Sequence, residues 1–574
     1  MPPIGLGVCL GVGGGKPATS GGAPPAPAGC PPQPSYTYDL GVDAPDGCTL
    51  YGLTVRPAIH LDASDMNGNG DDNSGWSTAD AVTTWADRSG NGNDVTQATS
   101  GYRPVYRTGL LRGMPGVEFD GTDDFLQDAD FFDDVDNEPV DWSSETGTIV
   151  AVVIPGADGS GAFGETIGEG TTSYGTTDTS SNAGYGDIEF YTNGATYSGH
   201  FLNNRLAGTA SNLTIIPPST RPFINGVKVA GAGNYEIFYN KKANFSVALS
   251  GLASNAWGPD TTNGLKVGQS GGAKLKGYIT ELLIFNVILS STDWDSVHAY
   301  LAQKYGMNVL AARPSGAYSI GSEEVSIAPQ FHFDASEANT VLNSDYTTVT
   351  DGNPAYLWKD KVHGWYAPQP VAAKQPSFAE NKINTNKHGV YFDGTGEAFE
   401  LWMIQTLGNY LDADKAVFVV LEPVADDGDW SFLGIGLSPG GGYFSFTNEA
   451  KTYDSTFRYT KLNNLTLSNI STTGAQMIGI WSEEGEKYNI TSGSDEDFCI
   501  SEDGSTESWS TLSTKWGPAF TQIGGATRQP AEQSGQRFKG WIYEILIWDG
   551  GDGVLTAADK TALSDYATAK YGTL

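Results

Sequence analysis

Pro57-Ala58-Ile59-His60-Leu61-Asp62-Ala63-Ser64 returns further along the chain as Pro329-Gln330-Phe331-His332-Phe333-Asp334-Ala335-Ser336. Working outward, Trp85-Ala86-Asp87-Arg88 returns as Trp358-Lys359-Asp360-Lys361, and Val117-Glu118-Phe119-Asp120-Gly121 as Val390-Tyr391-Phe392-Asp393-Gly394. Trp257-Gly258-Pro259 matches Trp516-Gly517-Pro518. Lys276-Gly277-Tyr278-Ile279-Thr280-Glu281-Leu282-Leu283-Ile284-Phe285 matches Lys539-Gly540-Trp541-Ile542-Tyr543-Glu544-Ile545-Leu546-Ile547-Trp548. Each copy closes on Lys-Tyr-Gly, at Lys304-Tyr305-Gly306 and Lys570-Tyr571-Gly572. A period of roughly 260–270 residues is far longer than any solenoid repeat. The chain therefore reads as two copies of one whole domain.

Within each copy the local pattern is β. Thr148-Ile149-Val150-Ala151-Val152-Val153-Ile154 and Ala416-Val417-Phe418-Val419-Val420-Leu421 are short, β-branched and apolar throughout, as strands buried on both faces must be. Tyr235–Tyr239 and Phe245–Leu249 flank a polar loop and read as a hairpin. One helix ends each copy. Ser291-Thr292-Asp293 supplies an N-cap and an early acid, Trp294, Val297, Leu301 and Tyr305 follow at helical spacing, and Gly306 stands where a C′ glycine belongs. In the second copy Thr556 and Asp559 open the helix and Gly572 ends it. Many short strands plus one terminal helix predict an all-β, two-sheet sandwich in each copy.

Residues 1–56 differ in composition. Gly11 to Gly15 and the Pro/Ala-rich run from Ala23 to Gly29 bury little side chain and predict an extended Gly/Pro-rich arm. The expected boundaries are the arm at 1–56, a first sandwich at 57–310, a linker at 311–326 and a second, degenerate sandwich at 327–574.

The net charge of −35 over 574 residues argues against nucleic acid, whose phosphates this surface repels, and against anionic membranes. No run is long and apolar enough to span a bilayer. The four cysteines, Cys9, Cys30, Cys48 and Cys499, share no metal-ligand spacing. A Cys30–Cys48 bridge is open, and the repeats stand on packing.

His60-Leu61-Asp62-Ala63-Ser64, the run Trp85-Ala86-Asp87-Arg88-Ser89-Gly90-Asn91-Gly92-Asn93-Asp94, Pro104, and Gly116-Val117-Glu118-Phe119-Asp120-Gly121 together resemble the laminin-G-like, concanavalin A-like lectin/glucanase superfamily. The likeness is to divergent members found in bacterial surface proteins and tailed-phage virion proteins. It covers nearly all of copy one. Copy two replaces the Ser-Gly-Asn-Gly-Asn loop with Val362-His363-Gly364-Trp365. The resemblance implies concanavalin A-like jelly rolls. With the Gly/Pro-rich leader, it implies a non-enzymatic virion structural protein of a tailed phage, attached to other virion proteins through residues 1–56. Adhesion to host-surface glycan and a homo-oligomer follow as expectations. The alternatives are a bacterial cell-surface adhesin and a purely architectural decoration of capsid or tail.

Asp65-Met66-Asn67-Gly68-Asn69-Gly70-Asp71-Asp72 places oxygen side chains at alternate positions, as the first half of a calcium loop does. Asp65, Asn67, Asn69, Asp71 and Asp72 are the candidate ligands for calcium. Trp76 holds the twelfth position, so the loop is no EF-hand, and a plain Asx-turn loop is the competing reading. The acidic tract from Asp120 to Asp136 reads as a solvated loop.

His60 and Asp62, like His332 and Asp334, share a strand face and invite a catalytic reading, but no nucleophile sits in a recognisable elbow. Superfamily glucanases carry a Glu-x-Asp-x-x-Glu strand. The nearest string here, Asp187-Ile188-Glu189, lacks the third acid, so no hydrolase is expected. Trp76, Tyr102, Tyr174, Tyr185, Trp257 and Trp365 are the loop aromatics available to stack on sugars.

Overall fold

A computed structural model describes residues 36–43, 50–70, 73, 75–129, 131, 146–155, 163–169, 188–191, 222–230, 234–239, 242–248, 265–270 and 273–309 of the first half. In the second half it describes 314–344, 346–369, 372–383, 387–395, 397–401, 415–424, 430–436, 444–448, 455–458, 465–467, 475–483, 487–492, 495–501, 520–524, 538–549 and 555–572. Among the described residues the secondary structure is β apart from one long helix in each half and a few short 3-10 turns. It divides into two compact units, Met1–Val309 and Leu310–Leu574.

The first unit opens with a hairpin, β1 (Tyr38–Asp43) on β2 (Leu50–Leu53). An eight-stranded antiparallel sheet follows, centred on β6 (Lys276–Phe285). On one side β6 pairs along its length with β5 (Thr146–Pro155). Its other side is shared end to end by β4 (Gly116–Asp120), which pairs with residues 276–279, and β3 (Ile59–Asp62), which pairs with residues 281–284. A six-stranded sheet includes Phe163–Glu169, Leu265–Val267, Leu126–Asp128 and Thr84–Trp85. Helix α1 (Ser291–Tyr305) lies on the outer face of the large sheet, where Trp294, Val297, Leu301 and Tyr305 join Val150, Val152, Leu283 and Phe285 in one core. Ile149, Ala151 and Val153 alternate with those residues and are equally buried, so both faces of β5 are dry. That explains its wholly apolar sequence.

The second unit repeats the plan. Hairpin β7 (Tyr318–Ile320) and β8 (Glu323–Val325) precedes β9 (Phe331–Asp334). Strands β9 and β10 (Gly389–Asp393) share one side of β12 (Lys539–Asp549), and β11 (Lys415–Pro423) takes the other. Helix α2 (Ala557–Tyr571) covers the sheet. A glycine recurs where the small sheet meets β4 or β10. A Cβ on Gly268 would come within 2.2 Å of Phe119, and one on Gly524 within 2.1 Å of Phe392. Both glycines also hold positive φ, at 87° and 92°, so no other residue fits there.

Both helix ends follow the residues quoted above, with the first cap one position earlier. Ser290 accepts from the Asp293 amide, Thr556 and Asp559 form a full capping box, and Gly306 is left-handed at φ 63°.

Two boundaries need correction. The expected arm, 1–56, ends in structure rather than in flexible chain: Tyr38, Leu40 and Leu53 of its hairpin are buried in the core beneath α1. The expected linker, 311–326, holds β7 and β8, whose Ile320 and Val325 are buried beneath α2. Glycine and proline around these strands hid them, because the short buried runs between are too brief to show a period. Residues 1–35 lie outside the described part of the chain.

Candidate functional site

The densest chemistry in each unit is a buried polar network. A bulge in the β6–β5 register at Thr280 resets the side-chain alternation just before Glu281. Glu281, Leu283 and Phe285 then face α1. Opposite Glu281 in register stands Asp62, the last residue of β3. Lys304, in the final turn of α1, bridges them: its Nζ lies 2.6 Å from Asp62 Oδ1, 2.8 Å from Glu281 Oε2 and 3.1 Å from the Tyr300 hydroxyl. An ammonium has three protons, and all three are satisfied.

His60 Nε2 meets Glu281 Oε1 at 2.7 Å, and its Nδ1 meets the hydroxyl of Tyr38 from the hairpin at 2.9 Å. Because a carboxylate only accepts, Nε2 carries the ring proton. Tyr305 donates to Glu281 Oε2, and Arg88 to Asp62 Oδ2. Glu281 is wholly buried, Asp62 is 1% exposed and Lys304 5%. Burial pushes the Asp62 pKa up, but Lys304, Arg88 and His60 outweigh it and hold the carboxyl far below its usual range. Glu281 is lowered in the same way, against its own desolvation, chiefly by Lys304. Burial raises Tyr38, Tyr300 and Tyr305, and the neighbouring carboxylates add to it, so these phenols stay protonated.

The second unit rebuilds this group by group. Lys570 Nζ lies 2.7 Å from Asp334 Oδ2, 3.0 Å from Glu544 Oε2 and 2.8 Å from the Tyr566 hydroxyl. His332 bridges Glu544 and Tyr318, and Tyr571 stands where Tyr305 does. Lys361 replaces Arg88, at 3.3 Å from Asp334. A bulge at Tyr543 again precedes the glutamate.

His60, Asp62 and Glu281, like their counterparts His332, Asp334 and Glu544, are close enough to hold one metal ion. In both, the lysine ammonium already sits between the two carboxylates and supplies the positive charge that a cation would. The His60 and Asp62 side chains are thus linked indirectly, through Glu281 and Lys304. Glu281, Lys304, Tyr38 and their counterparts were not singled out from sequence. The available signal was a charged residue repeated at the same place in an otherwise apolar strand.

Asp87 and Asp360 also recur in one role. Each carboxylate accepts the amide of the network histidine, and Asp87 also takes Ser89 and Asn93 amides. Asn91 and Asn93 donate to the carbonyl of Ala58. The second unit lacks those asparagines and fills the space with Trp365, stacked on His363 at 4.1 Å and buried against Phe331.

In the loop expected to hold calcium, Asp65 accepts the amides of Asn69 and Gly70 and lies 3.5 Å from Arg88. Asn67 accepts from the Trp76 indole. These bonds brace the loop on the Asp65 carboxylate, which reaches amides four and five residues on. Asp71 and Asp72 lie outside the described residues, as do Tyr174, Tyr185 and Trp257. Of the remaining aromatics, Trp365 is core, Trp76 packs on Tyr106 at 5.5 Å, and Tyr102 is 42% exposed beside Phe125. Asp120, Asp123 and Asp124 cluster closely, with the Asp124 carboxylate receiving the Asp120 amide. Burial raises the Asp124 pKa to about 6.

No protein-family model and no curated protein matches the chain. Solved structures that it resembles include a Trypanosoma rangeli sialidase, at 8% identity and a TM-score of 0.30, over 68% of this chain and 48% of that one. Domain 4 of a GH43 extracellular arabinanase from Geobacillus stearothermophilus, solved with arabinotriose, matches at 12% and 0.26, over 42% of this chain and 98% of that one. The IT-sialidase CBM40 of Ruminococcus gnavus, bound to alpha2,3 sialyllactose, matches at 10% and 0.23, over 31% and 96%. The chain spans about half the length of the sialidase.

One expectation is corrected here. The absence of a glucanase acid string suggested a protein without catalytic activity, yet sialidases stand among the structures found, so that exclusion is withdrawn. At these TM-scores the likeness transfers no activity either.

Proposed function

We propose that this is a virion structural protein of a tailed phage, in which two laminin-G-like, concanavalin A-like jelly rolls adhere to host-surface glycan. The observation that carries this reading is the duplicated network. Both units commit these charged side chains to largely buried networks, which leaves their loops as the surfaces offered to a ligand. Tyr102 with Phe125, and Trp76 with Asn67, are loop groups of the amphipathic kind that sugars stack on. Two such units on one chain would add avidity to weak individual contacts. The segment preceding the first hairpin serves as the attachment to other virion proteins, the whole acting as a homo-oligomer on the particle.

The deciding experiment is adsorption of intact particles to host polysaccharide with and without the whole first unit from its hairpin onward, residues 36–309. Loss of adsorption with particles intact supports the reading. Unchanged adsorption with fragile particles replaces it with an architectural role, and absence of the protein from purified virions places it on a bacterial surface instead. Calcium in the Asp65–Asp72 loop is a separate proposal. A melting temperature unmoved by chelator removes it.

A further inference from the structure

In each unit a lysine amine, an aspartate carboxyl and a second carboxylate are held together, with both carboxylates buried and the lysine 4% exposed in the first unit and 10% in the second. Lys304 Nζ lies 2.6 Å from Asp62 Oδ1, with Glu281 Oε2 at 2.8 Å from the same nitrogen. The three side chains are 4%, 1% and 0% exposed. Lys570, Asp334 and Glu544 repeat the arrangement at 2.7 and 3.0 Å. From this geometry we propose that the lysine and aspartate of each unit condense into an intramolecular amide, Lys304–Asp62 and Lys570–Asp334, with Glu281 and Glu544 as the catalytic proton carriers.

The step balances without any co-reactant. The ammonium passes one proton to the aspartate oxygen that it touches, which leaves an amine facing a carboxylic acid. The amine lone pair attacks Asp62 Cγ, and the Nζ–Cγ bond forms. Glu281 accepts a second proton from Nζ and delivers it to the departing hydroxyl, which leaves as water with the Cγ–Oδ1 electron pair. The third proton stays on the amide nitrogen. Arg88 is bonded to Oδ2, the oxygen that becomes the amide carbonyl, and it stabilises the charge developing there. In the second unit Oδ2 leaves, while Oδ1 is retained on the Ser336 amide.

Burial favours the product. Two charges confined in a low-dielectric interior become one neutral amide, which removes their desolvation penalty, and burial limits the water that would reverse the step, more so at Lys304 than at Lys570. Fixed contact between amine and acid supplies the orientation that makes such a condensation effectively unimolecular. The bond would join the first strand of the large sheet to the end of the last helix and close nearly the whole unit as one covalent loop.

The test is intact-mass spectrometry of the full chain, denatured and reduced, followed by peptide mapping. The expected mass is two waters below the sequence mass, with a branched peptide joining Lys304 to Asp62 and another joining Lys570 to Asp334. Lys304→Arg and Lys570→Arg should each restore one water. Glu281→Gln should restore one while leaving its lysine and aspartate in place. A mass equal to the sequence mass after prolonged incubation of the folded protein overturns the proposal. So does water loss without a branched peptide, which marks a succinimide.

Discussion

Lys304 bridges two buried carboxylates, so its removal is the most damaging single change expected in the first unit. With the ion pair uncondensed, Lys304→Met would leave Asp62 and Glu281 buried beside each other with Arg88 as the compensating cation. Breaking a buried pair in this way costs about 3–5 kcal/mol. Denaturant unfolding should show the first unit's transition shifted by that amount and the second unit's unmoved. The carboxyls themselves set the acid limit. With the lysines uncondensed, Asp62, Glu281 and Glu544 are depressed in the folded state, so their stabilisation is complete above the unfolded pKa and fades only as pH falls below about 4. Asp360 and Glu397 run the other way. Burial raises them to about 6 and about 7, so the folded state holds their protons and stability declines as pH rises from about 4 to 7. The second unit should therefore melt higher at about pH 5 than at about pH 7.5, and Asp360→Asn should flatten that slope. Equal melting at both values would show that these acids are ionised when folded.

Among the elements, each hairpin is clamped to its unit's helix by one acid. Thr54 donates its amide and hydroxyl to Asp293 at 2.7 Å each, and Ser326 donates the same pair to Asp559 at 2.6 and 2.8 Å. One side chain thus caps the helix and receives the end of the hairpin. Desolvation raises the Asp559 pKa, but the Thr556 and Ser326 donors outweigh it, so the acid stays ionised. Asp559→Ala removes the capping box and the clamp together. It should cost more than the about 0.5–2 kcal/mol of a cap alone, with Ser326→Ala recovering the smaller part by thermal melts. The helices were legible in sequence because caps, apolar spacing and C′ glycines are local signals. The strands β5 and β11 were legible because burial on both faces leaves a wholly apolar run. The bulges at Thr280 and Tyr543 were not, since they consist only in a mismatch between two strands distant in sequence.

For the whole molecule, the duplication was plain from the quoted motifs, but the true start of each copy was not. Tyr38 and Tyr318 complete the networks from hairpins whose glycine-rich neighbourhoods look like tether. Fragments beginning at residue 57 or 327 lack these tyrosines and part of the core under the helix, whereas fragments beginning at 36 or 314 keep them. The longer fragments should unfold cooperatively by circular dichroism and the shorter ones should not. Equal cooperativity would mean that the hairpins are accessory. The candidate site was half visible. His60, Asp62, Asp87 and Arg88 fall within two short motifs, while Glu281, Lys304 and Tyr38 are brought to them only by tertiary pairing.

Tyr38 sits near the beginning of its unit and Lys304 near the end, and both belong to one buried cluster. During synthesis on a ribosome, the first network therefore cannot assemble until α1 has left the exit tunnel. Its hairpin and first strand must wait, unfinished, while more than two hundred residues follow them. Chaperones that shield nascent chains would find their longest demand in that interval, and again in the second half before α2 emerges.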